Sequence, residues 1–474
     1  ELEIIPHEGK RQTISVPIQN EVAEKTIEIA TLFLWNPNEP YLYRVKMRLH
    51  TGNNVADYVQ SYFGMRKVAS SPSEDPNQPE TLCLNNVARY HRGALHQAYY
   101  PEGVYTPRDV DRFKTDIAFA KQVGFNFLRV HIKIEDPLFL YYADTMGILL
   151  MCDFPNFGEG GDTPLGRQRY EVMMRKAIKR DFNHPSIFAW CLFNETWGSG
   201  GQVDFVKLFS KDPRDQSPIS ASAAAGVSAL ATEVPERNAQ DAAEAAITRV
   251  KLSNASSHVF VQTMWELAKK LDTTRLIEDM SVVHWEHLDY FAHGDTDINS
   301  WHFYLHDYHK AKEHIEKVVQ STYTGSTFNY VDGFKQRTQP LINSEYGGIG
   351  ALDGNRDISW SFKFLTNELR RHASISGYIF TELHDVEWEY NGFMNYDRTP
   401  KDFGYDPRII NESDVLPINA APIQRCAHGQ RLSIEVASSH FSSTRHENVV
   451  LQWRLSGIDT LGKYRQELAR GSAP

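Results

Sequence analysis

The chain has 474 residues, of which 41% are hydrophobic and 23% are charged, a composition typical of a globular protein of about three domains. Its formal net charge of −10 argues against a nucleic-acid partner, and no apolar run of about 18 residues is present to span a membrane. The cysteines lack metal-ligand spacing, so we expect packed thiols and no disulfide framework at Cys83, Cys152, Cys191 and Cys426.

The first 68 residues alternate short strand-like runs with turns, which predicts a small antiparallel β-sandwich. The predicted strands are Thr13–Ile18, Thr26–Phe33, Tyr43–His50 and Val55–Phe63. Residues 69–80 are rich in proline, serine and acids, which indicates a linker or surface loop.

From about Cys83 the pattern changes to strands that alternate with amphipathic helices. Eight strands are predicted: Arg92–His96, Phe125–Ile132, Ile148–Phe154, Ile187–Asn194, Arg275–Ser281, Asp297–Tyr304, Leu341–Glu345 and Gly377–Leu383. Predicted helices include Pro107–Val123 with Thr106 as N-cap, Pro137–Met146, Tyr170–Phe182, Val259–Leu271 and Ser359–His372. Eight strand–helix units predict an α/β fold, a (β/α)8 TIM barrel over residues 69–405.

Two regions depart from this alternation. Residues 199–257 form an Ala- and Ser-rich insertion after the fourth strand, interpreted either as a lid or as a solvated excursion without a role. Strand-like patterns return in residues 406–474, at Arg431–Ala437 and Asn448–Leu455, and predict the start of a C-terminal β-sandwich. Both ends look cut, and we interpret the sequence as a fragment of a longer modular enzyme.

Two strands of the predicted barrel end in a carboxylate. Glu195 follows the strand Ile187–Asn194, and Glu345 ends a strand that begins at Leu341. The carboxyl ends of barrel strands form the active-site face, so we expect both acids there. Retaining glycoside hydrolysis needs such a pair about 5 to 5.5 Å apart. A single acid after a core strand is more often a cap or a surface residue, so the assignment depends on the pair.

Several motifs resemble those of glycoside hydrolase family 2, which includes β-galactosidases, β-glucuronidases and β-mannosidases. The matching stretches are Leu34–Tyr43, Tyr62–Lys67, Gly124–His131, Ala143–Leu150, His184–Ile187 and Phe193–Trp197. The resemblance implies that residues 1–68 are an immunoglobulin-like sandwich, complete or in part. It also implies a retaining β-glycosidase that releases terminal sugars from oligo- or polysaccharides.

The resemblance also implies roles around the two acids. Glu195 is expected to be the acid/base and Glu345 the nucleophile. Asn194 is expected to bind the sugar 2-hydroxyl, unless it only ends its strand. Tyr346 is expected either to orient the nucleophile or to pack in the barrel wall. Arg129 is expected to form an ion pair that supports Glu345.

Further residues are candidates for direct sugar contacts. His131 and His302, at the ends of the second and sixth strands, are expected to contact sugar hydroxyls, although strand-end histidines are often structural. Trp388 is the main candidate for the floor under the apolar sugar face, with Trp301 and Trp197 as weaker candidates.

Differences from the family's motifs bear on the substrate. The run His96–Pro101 replaces the Arg-His-Glu-His-His-Pro type run of the galactosidases, so their first-loop contacts are not assured. The glucuronidases hold the uronate with an Asn-x-Lys element, where this chain has Glu389–Asn391 before Arg398–Lys401. An acid there would repel a uronate, which disfavours a β-glucuronidase. The expected activity is that of a β-galactosidase, with β-glucuronidase and β-mannosidase as the alternatives. The family's N-terminal jelly roll has no counterpart in this sequence.

Other classes of function stay open. One is a catalytically silent carbohydrate-binding relative or an inactive fragment, against which the presence of both acids argues. Another is metal-dependent hydrolysis at the cluster of His284, His287 and His293, where a His-x-x-His spacing occurs without a third ligand in register. No cofactor and no catalytic metal are expected, with a structural divalent cation as the alternative. The expected partner is a carbohydrate, with homo-oligomerisation left open. The compartment is undetermined: periplasmic or secreted for a polysaccharide degrader, otherwise cytoplasmic.

Overall fold

The structure, a computed structural model, describes residues 1–73, 75–155, 163–195, 258–284, 292–305, 307–347, 357–387, 389–427, 429–442, 444, 447 and 449–473. The predicted insertion at 199–257 lies outside these residues, as do His287, Trp197 and Trp388. The chain divides into two compact units, Glu1–Ser439 and His440–Pro474. Among the described residues, no helix is both long enough and apolar enough to cross a membrane.

The N-terminal sheet has four antiparallel strands in the order β2-β1-β3-β4. Their bounds are Leu2–Ile5 for β1, Gln12–Ile14 for β2, Tyr43–Thr51 for β3 and Asn54–Phe63 for β4. The strand predicted at Thr26–Phe33 does not form, since this segment is largely exposed and irregular. The edge of β3 pairs instead with β1, whose Ile4 is buried.

A small three-stranded sheet connects this region to the barrel. It contains β5 (Val68–Ser71), β6 (Thr81–Leu84) and β7 (Val87–Ala88). The predicted loop at 69–80 therefore begins as a strand, because β5 pairs with β6. Leu82 and Leu84 of β6 are buried in the barrel's core cluster, so this sheet closes the amino-terminal end of the barrel.

Eight parallel strands form the barrel, and the predicted fold class is confirmed. They are β8 His91–His96, β9 Phe127–Val130, β10 Leu149–Asp153, β11 Ile187–Asn194, β12 Leu276–Ser281, β13 Asn299–Phe303, β14 Leu341–Tyr346 and β15 Ile375–Phe380. They pair in the order β12-β11-β10-β9-β8-β15-β14-β13. The seam between β12 and β13 is joined by a parallel bridge from Val283 to His302, at the carboxyl end of both strands.

The described helices of this unit are α1 Asp111–Gln122, α2 Pro137–Met146, α3 Pro164–Asp181, α4 at residues 258–271, α5 Tyr308–Ser321 and α6 Ser359–Arg370. α2 has the bounds predicted for it, with an Asp136 side-chain cap and Gly147 in the left-handed conformation at its C-cap. α1 begins later than predicted, at Asp111 and not near Thr106. A bridge between Tyr100 and Val104 holds the preceding segment in a turn.

An apolar cluster fills the amino-terminal half of the barrel. It is built from the inward-facing residues of the strands together with the β6 leucines, and includes Leu95, Phe127, Leu149, Met151, Ile342 and Ile379. Cys83, Cys152 and Cys191 are buried free thiols, as predicted. The prediction of a packed thiol is wrong for Cys426, which is free but exposed. Polar side chains are therefore found at the carboxyl ends of the strands, beyond this core.

After the barrel come a 3-10 turn, Pro407–Ile409, and the short strands β16 Asp414–Val415, β17 Ile418–Asn419, β18 Glu435–Val436 and β19 Ser439–His440. In the second unit, β20 (Leu451–Ile458) and β21 (Tyr464–Ala473) pair as an antiparallel hairpin.

Candidate active site

The two predicted acids meet at the carboxyl end of the barrel. Glu195 follows β11 directly, and Glu345 is the penultimate residue of β14. One side-chain oxygen of each acid and one ring nitrogen of His302 lie within 4.8 Å of one another. Glu195 has a positive φ of 49°, a strained conformation of the kind that clusters at functional sites. Burial raises the pKa of its carboxyl group, although His131 and Arg129 act in the opposite direction.

Arg129, on β9, is fully buried at the centre of this site. Its Nε lies 2.9 and 3.0 Å from the oxygens of Asp153, and its Nη1 lies 3.0 Å from Oε1 of Glu345. Burial would lower the pKa of the guanidinium, but the carboxylates around it, first among them Asp153, raise it well above its usual value. The guanidinium thus connects its own strand to side chains from five other strands of the barrel: Asp153, Asn194, Ser281, His302 and Glu345.

His302, on β13, lies between the two acids and Arg129. Its Nδ1 is 2.7 Å from Oε1 of Glu195 and 3.6 Å from Oε2 of Glu345. Its Nε2 is 3.0 Å from Nη1 of Arg129. Burial lowers the pKa of this imidazole to about 3, and the Arg129 charge adds to that shift while Glu345 opposes it. Both ring nitrogens, predicted to serve sugar hydroxyls, are therefore engaged by protein groups.

The sequence alone does not identify three members of this network, Tyr304, Asp153 and Ser281. The Tyr304 hydroxyl donates a hydrogen bond to Oε2 of Glu345. Asp153 binds Arg129 and accepts from Nδ1 of His131 at 2.8 Å. Burial would raise the pKa of Asp153, but Arg129 and His131 hold it below its usual value. A signal for Asp153 and Tyr304 was present, because Asp153 is a carboxylate near a strand end and Tyr304 lies two residues beyond His302, on the same face.

Asn194 is fixed by its side-chain oxygen. Its Oδ1 accepts hydrogen bonds from Nη2 of Arg129 at 2.8 Å and from Oγ of Ser281 at 2.7 Å. The amide is thus oriented by two donors.

The structure corrects two of the predicted contacts. Tyr346 does not orient the nucleophile: its hydroxyl bonds to Thr366 on α6, and its ring packs against Phe303 and Phe380 in the wall. Trp301 is fully buried and so does not form an open floor for a sugar. Both residues lie directly beside a site residue on their strand, and neighbouring residues of a strand point to opposite faces.

A third acid, Glu389, faces the same site from the loop after β15. Burial and the negative charges of Glu345 and Glu195 raise its pKa, while His131 acts in the opposite direction. The nearby cations are engaged elsewhere. Lys401 lies 2.7 Å from Oδ1 of Asp385 and donates to a main-chain carbonyl. Arg398 is buried and paired with Asp116 at 3.2 Å.

Two groups of metal-type side chains occur within the part of the chain that the structure describes. In the first, His96, Asp116 and His384, the guanidinium of Arg398 already donates to the carboxylate and contacts the second imidazole. The second group consists of Glu195, Glu345 and His302. Both carboxylate oxygens of Glu345 already accept hydrogen bonds, from Arg129 and from Tyr304.

Of the histidines considered for metal-dependent hydrolysis, His284 contacts His314 and Asn329. His293 is bonded to Asp279 and to the main chain of Ser300.

The described residues thus form an eight-stranded (β/α)8 barrel with paired carboxylates after its fourth and seventh strands, the class of site that retaining glycoside hydrolysis requires. Comparison with known proteins agrees with this class. The family described as "Glycosyl hydrolases family 2" matches residues 2–66. This match and the relatives described next agree with the resemblance noted in the sequence motifs.

The chain is 30% identical over 209 residues to a β-galactosidase of Pseudoalteromonas haloplanktis, which covers 42% of this chain and 19% of that protein. It is 29% identical over 198 residues to a putative β-glucuronidase of Formosa agariphila, with 39% of this chain and 18% of that protein covered. The chain thus spans about a fifth of the length of these relatives.

Among solved structures, a β-glucuronidase of Bifidobacterium dentium, complexed with coumarin-3-O-glucuronide, superposes with a TM-score of 0.63 at 17% identity. The superposition covers 86% of this chain and 59% of that one, and supports the fold.

Proposed function

We propose that the protein is a retaining exo-β-glycosidase that releases neutral terminal hexoses, with β-galactosides as the favoured substrates. The observation that carries this proposal is the approach of Glu195 and Glu345, with oxygens within 4.8 Å, at the barrel's active-site end. Retaining enzymes place their carboxyl groups about 5 to 5.5 Å apart, and inverting enzymes keep them much further apart. The exo mode of attack rests on the family resemblance.

In the first step, Glu345 attacks the anomeric carbon while the glycosidic C–O bond breaks. The hydrogen bonds from Arg129 and Tyr304 hold the Glu345 carboxylate in place for this attack. Glu195 supplies a proton to the departing oxygen. Burial favours this role, because it raises the pKa of the Glu195 carboxyl group and keeps the proton available at higher pH.

In the second step, water attacks the anomeric carbon of the glycosyl-enzyme. Glu195, now ionised, takes a proton from that water, and the bond between the sugar and Glu345 breaks. The sugar leaves with its original anomeric configuration, and both acids return to their starting protonation states.

The preference for neutral sugars rests on Glu389 and its surroundings. A uronate carboxylate beside Glu389 and the nucleophile Glu345 would meet negative charge. The two cations that could otherwise clamp it, Arg398 and Lys401, are held by Asp116 and Asp385. Against this stand relatives named as β-glucuronidases, so β-glucuronidase is the alternative within the family, with β-mannosidase after it.

A panel of aryl β-glycosides tests the proposal. We expect turnover of the galactoside to exceed that of the mannoside and of the glucuronide, and the released sugar to keep the β configuration when followed by NMR. An α product would contradict the retaining mechanism. Binding of sugars without turnover of any aryl glycoside would favour a silent carbohydrate-binding relative.

A further inference from the structure

We propose that His302 is a positioning residue that acts as its Nδ1–H tautomer, keeps Oε1 of Glu195 as a hydrogen-bond acceptor, and so confines the catalytic proton to Oε2. This inference rests on the proposed function, because it assigns a task within the acid/base step. It concerns a residue that neither the sequence motifs nor the relatives assign to that step.

The tautomer follows from the partner of Nε2. That nitrogen lies 3.0 Å from Nη1 of Arg129, and a guanidinium offers only donors. Nε2 must therefore present its lone pair. A neutral imidazole carries one proton, which then lies on Nδ1. A second proton would place an N–H against the N–H of Arg129, so the geometry disfavours the imidazolium.

The guanidinium cannot turn away to relieve this constraint. Its Nε is held by both oxygens of Asp153, and its Nη2 donates to Asn194 and Ser281. Its Nη1 also donates to Oε1 of Glu345 at 3.0 Å. With every nitrogen engaged in a buried site, Arg129 acts as a fixed donor toward His302.

The Nδ1 proton points at Glu195. The distance from Nδ1 to Oε1 of Glu195 is 2.7 Å, a hydrogen bond, whereas Oε2 of Glu345 at 3.6 Å is too far. If protonated Glu195 carried its proton on Oε1, two donors would face each other. The proton is therefore held on Oε2, for which no partner is found among the described residues.

This arrangement separates the tasks of the two oxygens. Oε2 gives its proton to the glycosidic oxygen as that bond breaks, and takes a proton from water when the glycosyl-enzyme is hydrolysed. Oε1 accepts from Nδ1 throughout, and His302 keeps its single proton. The acid/base thus cycles through one oxygen only.

Several other charged or titratable groups face this pair. Arg129 approaches from β9, Glu345 from β14 and Tyr304 from the end of β13. His131, at the end of β9, is held at 2.8 Å by Asp153 and acts on the protonation of Glu195. Glu389, from the loop after β15, carries a charge that interacts with Glu195. None of these groups offers an acceptor to Nδ1 within hydrogen-bond distance other than Glu195.

Two substitutions separate the hydrogen bond from the bulk of the ring. In His302→Asn an amide N–H can replace the Nδ1 donor, whereas His302→Leu fills space without a donor. We expect His302→Leu to lower kcat/KM roughly tenfold to a hundredfold for aryl galactosides with poor leaving groups, and far less for activated ones. His302→Asn should restore most of the loss. The exposed His309→Asn serves as the control.

A second measurement does not depend on folding of the leucine variant. In wild-type protein with ¹⁵N-labelled histidine, the His302 signals, assigned by their loss in His302→Asn, should show a protonated Nδ1 and a bare Nε2 across the active pH range. A protonated Nε2 in a protein that turns over aryl glycosides overturns this inference alone. Equal loss for all leaving groups, or no loss in His302→Leu, does the same. No turnover of any glycoside by wild type overturns the proposed function and this inference with it.

Discussion

The same strands contribute apolar side chains to one end of the barrel interior and charged side chains to the other end. On β9, Phe127 lies in the apolar cluster, and Arg129, two residues further along the same face, is the centre of the polar network. On β10, Met151 and Asp153 repeat this change. A rise of two residues, less than 7 Å of strand, separates the packing region from the charged one.

The comparison indicates which end provides stability and which provides chemistry. The amino-terminal half removes apolar surface from water, which favours folding by about 25 cal/mol per Å². The carboxyl-terminal half buries Arg129, Asp153 and Glu345, and the cost of removing such charges from water can equal or exceed their attraction. We infer that the charged end is retained for catalysis and is held in place by the apolar end.

The largest effect expected from the charged end is that of Glu345→Ala. Without the nucleophile, kcat should fall by roughly 10⁴-fold or more, while thermal unfolding changes little. Added azide should give the α-glycosyl azide by a single displacement, identified by NMR. Glu171→Ala, on the surface of α3, is the control. A β-azide product would show that the two acids have the opposite roles.

The next effect is that of Glu195→Ala, which should lower kcat for poor leaving groups by roughly 10²- to 10⁴-fold and much less for activated ones. Wild-type activity should fall as pH rises through the raised pKa of Glu195, because the acid then loses its proton before the leaving group departs. The variant should lose this basic limb of the pH–rate profile, and azide should yield the β-glycosyl azide. A basic limb that persists unchanged in the variant would refute the assignment.

The apolar end should respond in stability and not in chemistry. Phe127→Ala should lower the free energy of unfolding by about 3 to 5 kcal/mol, since it leaves a cavity in the core. Turnover per folded molecule should stay near the wild-type value. Arg129→Met, on the same strand and face, should instead reduce kcat strongly. Urea denaturation measures the free energy of unfolding, and active-site titration combined with the rate gives the turnover per folded molecule. Equal loss of turnover in Phe127→Ala and Arg129→Met would contradict the assignment of stability to one end and catalysis to the other.

The smallest effect is expected at the rim of the charged end. Glu389→Gln removes one negative charge, so hydrolysis of the aryl glucuronide relative to the galactoside should rise by roughly tenfold or less. Glu387→Gln, an exposed acid in the same loop, is the matched control. An unchanged ratio in Glu389→Gln would mean that this acid does not select against uronates.

The sequence predicts the fold well because barrel strands are short apolar runs with clear ends. β11 has the predicted bounds Ile187–Asn194, and α2 has the predicted bounds Pro137–Met146. The position of Glu195 and Glu345 at the strand ends follows from the same pattern.

The contacts inside the site were harder to predict. Arg129 and His302 are 173 residues apart in the chain, so their contact depends on barrel closure and has no local signal. The position of Tyr346 directly after Glu345 suggests a role in the site, yet alternation along a strand turns its side chain outward to Thr366. The same reasoning, applied to the predicted strand ending at Tyr304, would have placed that hydroxyl beside the nucleophile.

The geometry of the site depends on the closure of the barrel between β12 and β13. The main chain of His302 accepts from the N–H of His284 at 3.0 Å and donates to the carbonyl of Val282 at 2.6 Å. The same residue's ring touches the acid/base. If these two main-chain hydrogen bonds open, the barrel opens between β12 and β13, and His302 no longer holds the carboxyl group of Glu195 in position. A partly open barrel would therefore lose activity before the protein unfolds globally. Amide hydrogen exchange at His302 and His284 would detect this local opening earlier than any global probe of unfolding.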